Sequence, residues 1–123
     1  MEPDPSVRVG IGTIICSGSI FTVDIEVGAH VHVNLDCTIG HDVRTGDFAA
    51  LSPGAHSSGN VHIGRGAYIG TGAVIINGTP AEPLLVGDRA VIAAGACVTG
   101  LVESDSLYAG VCQAPPIAPD HPL

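Results

Sequence analysis

The sequence predicts an all-β fold in one domain, a parallel β-helix built from hexapeptide repeats. The first observation is a period of six: Val9, Ile15, Phe21, Val27, Val33, Ile39, Thr45, Leu51, Ser57, Ile63, Ile69 and Ile75, ten of these twelve being large and apolar. The second is a partner four residues after each, from Thr13 and Ser19 through Val31, Cys37 and Ala55 to Ala73 and Thr79, mostly small or β-branched. The third is compositional, 46% hydrophobic residues with only 3% aromatic. A helix needs apolar spacings of three and four and a half-buried strand needs alternation, so a sustained period of six fits neither and fits a coil of short strands. A narrow prism filled by stacked Ile, Val and Ala accounts for the scarcity of aromatics, because every layer has the same small cross-section.

The elements follow in chain order. Residues 1–8 are a lead-in. From Val9 each six-residue unit supplies one short strand, whose inward residues are the small one and the large one two places on, and then a corner. Glycine follows the large residue six times, at Gly10, Gly28, Gly40, Gly46, Gly64 and Gly70, and is read as easing backbone angles that burden a residue with a Cβ. From Ile75 to Val86 is eleven residues where six are expected, so five extra residues near 79–83 must bulge as a loop at one corner. Val86, Ile92 and Val98 then resume the large positions, with Ala90, Ala96 and Val102 as small partners, and the β-helix is drawn over 9–106. The segment 107–123 contains Pro115, Pro116, Pro119 and Pro122, which cannot continue a sheet ladder, and is expected to lie extended against the prism or to be mobile, at an end where such segments often act as caps.

Composition narrows the function. A chain of 123 residues allows one domain, and burying more than a dozen large aliphatic side chains at roughly 1.5–3 kcal/mol each builds an adequate core. The net charge is −8, with Arg8, Arg44, Arg65 and Arg89 as the only basic residues besides histidine, which argues against nucleic acid as a partner. No run of 18 apolar residues occurs and the first residues, Met-Glu-Pro-Asp-Pro, carry no signal pattern, so the expectation is a soluble, cytoplasmic protein without a membrane partner. Cys37 occupies an inward small position, and Cys16, Cys97 and Cys112 show no metal-ligand or redox spacing.

The stretch Ile39-Gly40-His41-Asp42, followed by Asp47-Phe48, Leu51-Ser52-Pro53-Gly54-Ala55, Ser58-Gly59-Asn60-Val61, Ile63-Gly64 and Ala67-Tyr68-Ile69-Gly70, resembles the hexapeptide-repeat sugar O- and N-acetyltransferases related to sialic acid O-acetyltransferase. It is similar to the same region of the bacterial UDP-4-amino-sugar N-acetyltransferases. The resemblance covers about residues 9–110 and is strongest from 34 to 75. It implies a left-handed helix with three hexapeptides per turn, about five coils in all, running 9–26, 27–44, 45–62, 63 to about 80, and one more from Val86.

With eighteen residues per turn, His41 falls directly under Gly59 in a corner column of Val23, His41, Gly59 and Asn77. Gly59 has no side chain to cover the imidazole, so open space and a backbone N–H are expected above it. A neutral imidazole takes the proton of an attacking hydroxyl or amine, and a backbone N–H stabilises the oxyanion that forms. The resemblance implies that His41 is the general base of acetyl-CoA-dependent transfer and that Gly59, with Ser58 and Asn77, holds the acetyl thioester. Asp42, or Asp24 one coil below it, is the candidate to orient the imidazole. Asn34 matches a family asparagine and, with Asp24, is a candidate contact for a sugar or nucleotide-sugar acceptor. Arg65 and Arg89 are candidate partners for the coenzyme's phosphates. The family pattern also implies a homotrimer with active sites between neighbouring prisms, and no metal.

Two other classes share this architecture. A γ-class carbonic anhydrase needs three histidines converging on a metal, and His30, His32, His41, His56, His62 and His121 lack that separation. A β-helix without catalysis, serving as a binding scaffold, has the same repeat; no threonine column of the ice-binding kind persists here, and acetyl-CoA binding discriminates the two.

Overall fold

The structure is a computed structural model and describes residues 4–110. Sixteen short strands wind into a left-handed parallel β-helix with three flat sheets. The first sheet holds β1 (Val7–Val9), β4 (Ile25–Val27), β7 (Arg44–Thr45), β10 (Val61–Ile63) and β13 (Leu84–Val86). The second holds β2 (Ile14–Ile15), β5 (His32–Val33), β8 (Ala50–Leu51), β11 (Tyr68–Ile69), β14 (Val91–Ile92) and β16 (Leu107–Tyr108). The third holds β3 (Ile20–Phe21), β6 (Thr38–Ile39), β9 (His56–Ser57), β12 (Val74–Ile75) and β15 (Cys97–Val98). All pairings are parallel, and the register steps by eighteen residues, as in Val7↔Ile25 and Arg44↔His62.

The register changes twice. Val61 pairs with Leu84 and Ile63 with Val86, so the five extra residues are absorbed between Gly78 and Leu84. The loop closes on itself through Thr79 N–H to the Glu82 carbonyl (3.0 Å) and Glu82 N–H to the Thr79 hydroxyl (2.9 Å). The second change corrects the sequence reading. Val102 stacks on Val86, a large position, and not on the small partner site, because the corner from Val98 to Val102 is two residues short; the period of six then resumes and puts Tyr108 on Ile92. β16 therefore continues the second sheet beyond the expected boundary at 106, as a sixth rung. The Pro-rich segment, from residue 111, lies outside the described residues.

The core runs up the axis from Ile25 to Val102, with Ile39, Leu51, Ile69, Ile75 and Ile92 all at most 2% exposed. Thr45 and Ser57 place polar side chains at two of its large positions, and among the described residues the Thr45 Oγ1 has no hydrogen-bond partner. The first coil forms the end layer, where Val9 and Ile15 are about two-fifths exposed (45% and 41%) although they hold inward positions.

Glycine has a different task from the one read in the sequence. Positive φ falls on the third corner residue, such as Asp42 (55°), Asn60 (56°) and Gly66 (66°), mostly a short polar residue or glycine that tolerates the left-handed region, with His30, Phe48 and Arg89 as the bulky exceptions. The glycine after the large residue is held by close approach. A Cβ on Gly46 would stand 2.6 Å from the Arg65 backbone nitrogen of the next rung. Successive rungs meet there backbone to backbone.

Candidate active site at the vertex between the third and first sheets

Three vertices join the sheets. The vertex between the third and first sheets carries residues 22–24, 40–42, 58–60 and 76–78 on successive rungs. The Asn60 N–H donates to the His41 carbonyl (2.9 Å), and the Gly78 N–H to the Gly59 carbonyl (3.0 Å), which locks the column Val23, His41, Gly59, Asn77 into line.

The His41 ring lies against Gly59, and a Cβ on that residue would collide with Nε2 and stand 2.6 Å from Cε1. The expected stacking is present, but the space that glycine leaves is filled by the imidazole itself, and Gly59 is buried. Approach to the ring is from the flank, where the His41 side chain is 55% exposed. Asp42 Oδ2 lies 2.9 Å from His41 Nδ1. An ionised carboxylate only accepts, so the Nδ1 proton is donated to Asp42 and Nε2 is left with its lone pair, the tautomer a general base needs. The Gly59 N–H makes no hydrogen bond among the described residues.

Directly above on the same vertex, the 79–83 loop overhangs a cleft of about 610 Å³, lined among others by Ile76, Asn77, Gly78, Leu84 and Leu101. Sequence reasoning found the inserted loop but not that it sits on His41's own vertex, because the corner that bears it depends on the three-sided winding. Directly below lies a smaller polar groove lined by Pro5, Ser6, Arg8, Asp24, Glu26 and Arg44.

Other candidates are placed elsewhere. Asp24 shares the vertex, one rung below Asp42, but it makes no hydrogen bond to the imidazole; Asp42 alone does so. Asn34 stands at the vertex between the second and third sheets, across the width of the third sheet from His41, with its Oδ1 accepting from the Leu35 N–H (2.8 Å). Arg65 and Arg89 stand at the vertex between the first and second sheets. There the Arg65 guanidinium lies 4.9 Å from the centre of the Phe48 ring, and Arg89 pairs with Asp105 (2.7 Å), holding that carboxyl below its ordinary value by hydrogen bonding. Ser58 is half-buried beside Gly59, and the exposed Asn77 side-chain amide donates to the Gly78 carbonyl (3.3 Å). Among the described residues no group of three or more His, Cys, Asp or Glu is placed to hold a metal ion, and no helix is long and apolar enough to cross a membrane.

No protein-family profile matches the chain. It is 40% identical to WeeI of Acinetobacter baumannii AYE, with a TM-score of 0.81 over 82% of this chain and 48% of that one. It is 38% identical over 79 residues to the GDP-perosamine N-acetyltransferase of Escherichia coli O157:H7, covering 64% of this chain and 36% of the relative. The chain belongs to the hexapeptide-repeat acyltransferases. PerB of Caulobacter crescentus, solved with CoA and GDP-perosamine, is 28% identical with a TM-score of 0.79 over 85% of this chain and 48% of that one. The chain thus spans about half, or less, of the length of the hexapeptide-repeat relatives it matches.

Proposed function

We propose that this protein transfers an acetyl group from acetyl-CoA to an amine or hydroxyl of a sugar-like acceptor such as a nucleotide sugar. The observation that carries the reading is the His41–Asp42 pair set against Gly59 on an exposed vertex. The acceptor's nucleophile attacks the thioester carbonyl directly. The new bond to carbon forms, the proton passes to His41 Nε2, and the thiolate leaves and takes up that proton. Asp42 holds the imidazole and stabilises the imidazolium. The unpaired Gly59 N–H is the donor for the oxyanion.

The cleft above Gly59 suits the long thioester arm of the coenzyme: it is lined mainly by apolar side chains, with Asn77 at its lower edge. Arg65 and Arg89 stand at a different vertex, so in this reading they reach the coenzyme's phosphates across a subunit boundary. The same holds for Asn34 and the acceptor. This distribution is what a homotrimer needs, in which the vertex of one prism faces another vertex of its neighbour. The names of two relatives, a GDP-perosamine N-acetyltransferase and PerB with CoA and GDP-perosamine, support the same donor and acceptor classes.

The test is His41→Ala. The imidazole is exposed and its removal leaves the column's backbone ladder untouched, so the fold, followed by circular dichroism, should be unchanged while kcat falls by about 10²–10⁴-fold. Unchanged turnover would end the proposal.

A further inference from the structure

The large positions of the third sheet form one inward column, Phe21, Ile39, Ser57, Ile75 and Val98. A serine thus stands in place of an aliphatic residue on the rung that carries Gly59. Ser57 is 4% exposed and stacked between Ile39 and Ile75. An aliphatic side chain there would bury more apolar surface, and the reaction so far described makes no use of the hydroxyl. Thr45, the other polar residue at a large position of this rung, leaves its hydroxyl without a partner among the described residues. Ser57 does not: its Oγ donates to the Ser58 carbonyl oxygen at 3.2 Å.

That oxygen belongs to the Ser58–Gly59 peptide, whose N–H is the oxyanion donor in the acetyltransferase reading. Among the described residues no backbone N–H donates to it, whereas the corresponding corner carbonyls of Gly46 and Gly64 accept from the Ala49 N–H (3.4 Å) and the Ala67 N–H (3.3 Å). The peptide rests against Gly40 of the rung below, where a Cβ would stand 2.7 Å from both the Ser58 carbonyl carbon and the Gly59 nitrogen. Neither end of this peptide enters the ladder between rungs, so its orientation is set by the Ser57 hydroxyl and by packing on Gly40. A trans peptide carries its C=O and N–H on opposite sides. A buried donor on the oxygen therefore keeps the carbonyl toward the interior and turns the N–H outward, to the edge that bears His41. The same hydrogen bond polarises the peptide and strengthens the donor at its other end.

We infer that Ser57 is a positioning residue for acetyl transfer: its buried hydroxyl holds the Ser58 carbonyl inward, so that the Gly59 N–H faces the oxyanion and donates to it more strongly. The inference rests on the reading of Gly59 as the oxyanion donor. As the acceptor's nucleophile adds to the thioester carbonyl, negative charge gathers on that oxygen, and a donor already fixed in place meets it without reorganisation. Ser57 itself forms no bond to substrate and exchanges no proton with it. Its effect belongs to the transition state, where the oxyanion exists, and so falls on kcat and not on the KM of either substrate. A serine that served packing alone would move activity and stability together.

Ser57→Thr and Ser57→Val are the deciding pair. Their side chains share size and branching, so any strain from added carbon is common to both and only the hydroxyl differs. Ser57→Ala removes the hydroxyl without adding bulk. With acetyl-CoA and GDP-perosamine as probes, Ser57→Thr should keep kcat within about threefold of wild type. Ser57→Val and Ser57→Ala should lose about tenfold, a part of the roughly 10²–10³-fold that removal of a whole oxyanion donor costs. KM for both substrates should stay within about threefold in all three. In protein without ligand, the Gly59 amide nitrogen resonance should move upfield in Ser57→Val and Ser57→Ala relative to wild type and Ser57→Thr, because that nitrogen responds to hydrogen bonding at the carbonyl of its own peptide. Equal kcat in Ser57→Thr and Ser57→Val, kcat that follows melting temperature across the variants, or a Gly59 resonance indifferent to the hydroxyl overturns the inference. Failure of the wild type to bind acetyl-CoA in calorimetry is the separate outcome that removes the acetyltransferase reading underneath.

Discussion

At the scale of single residues, glycines that look alike in the repeat are required for different reasons. A Cβ on Gly46 meets the main chain of the next rung, which cannot step aside without opening the ladder. A Cβ on Gly59 meets the end of a side chain, the His41 imidazole, which can swing out. Gly46→Ala should therefore cost about 1–3 kcal/mol or more of stability in urea unfolding. Gly59→Ala should cost little stability but most of the activity, since it displaces the base from its place beneath Gly59. A second residue-scale test concerns Thr45, whose buried hydroxyl is unpartnered among the described residues. Thr45→Val keeps the shape and removes the unsatisfied group, and should raise stability by about 1–3 kcal/mol. A lower melting temperature for that variant would mean that the hydroxyl finds a partner in solution.

At the scale of elements, the inserted loop at 79–83 is the feature whose meaning the period of six could not give. Counting residues shows that five are extra and where they fall, because Ile75 and Val86 are both recognisable large positions. Only the winding shows that the loop shares a vertex with His41 and overhangs the cleft above it. Because the loop makes its internal hydrogen bonds and the ladder resumes at Leu84 in register with Val61, deleting it to restore the six-residue spacing should leave the fold intact. The expected effect is on the coenzyme: an acetyl-CoA KM raised by about tenfold or more with a smaller change in acceptor KM, read by steady-state kinetics. Unchanged acetyl-CoA KM would place the thioester arm elsewhere. The two-residue shortening before Val102 is the converse case. It was not legible, because Val102 is as acceptable at a small position as at a large one, and only its pairing with Val86 decides between them.

At the scale of the whole molecule, the candidate residues sort onto three edges of one prism. His41, Asp42, Gly59, Ser58, Asn77 and Asp24 share one edge, Asn34 stands on a second, and Arg65 and Arg89 on the third. If all of them serve one reaction, copies of the chain must meet edge to edge. Outward-facing Ile14, Tyr68, Val91 and Leu107 leave the second sheet with exposed apolar side chains, each at least 40% exposed, as a face on which such copies can pack. The expected outcome is a trimer in light scattering, and a stable, active monomer would exclude any role for Asn34, Arg65 and Arg89 at the His41 site.

The repeating unit, the inward and outward alternation and the prism core were determined by the sequence itself, and the pairing of His41 with Gly59 across one turn followed once the family resemblance supplied three repeats per turn. They follow from a local rule, applied every six residues, and from a fixed turn length that converts spacing along the chain into stacking in space. The tertiary structure alone decided which edge each residue occupies, that the imidazole fills the space left by Gly59, that Asp42 and not Asp24 holds it, and that the corner glycines answer to neighbouring rungs. Those outcomes depend on contacts between rungs and on side-chain direction, which a period cannot encode because it records only how far apart residues are along the chain.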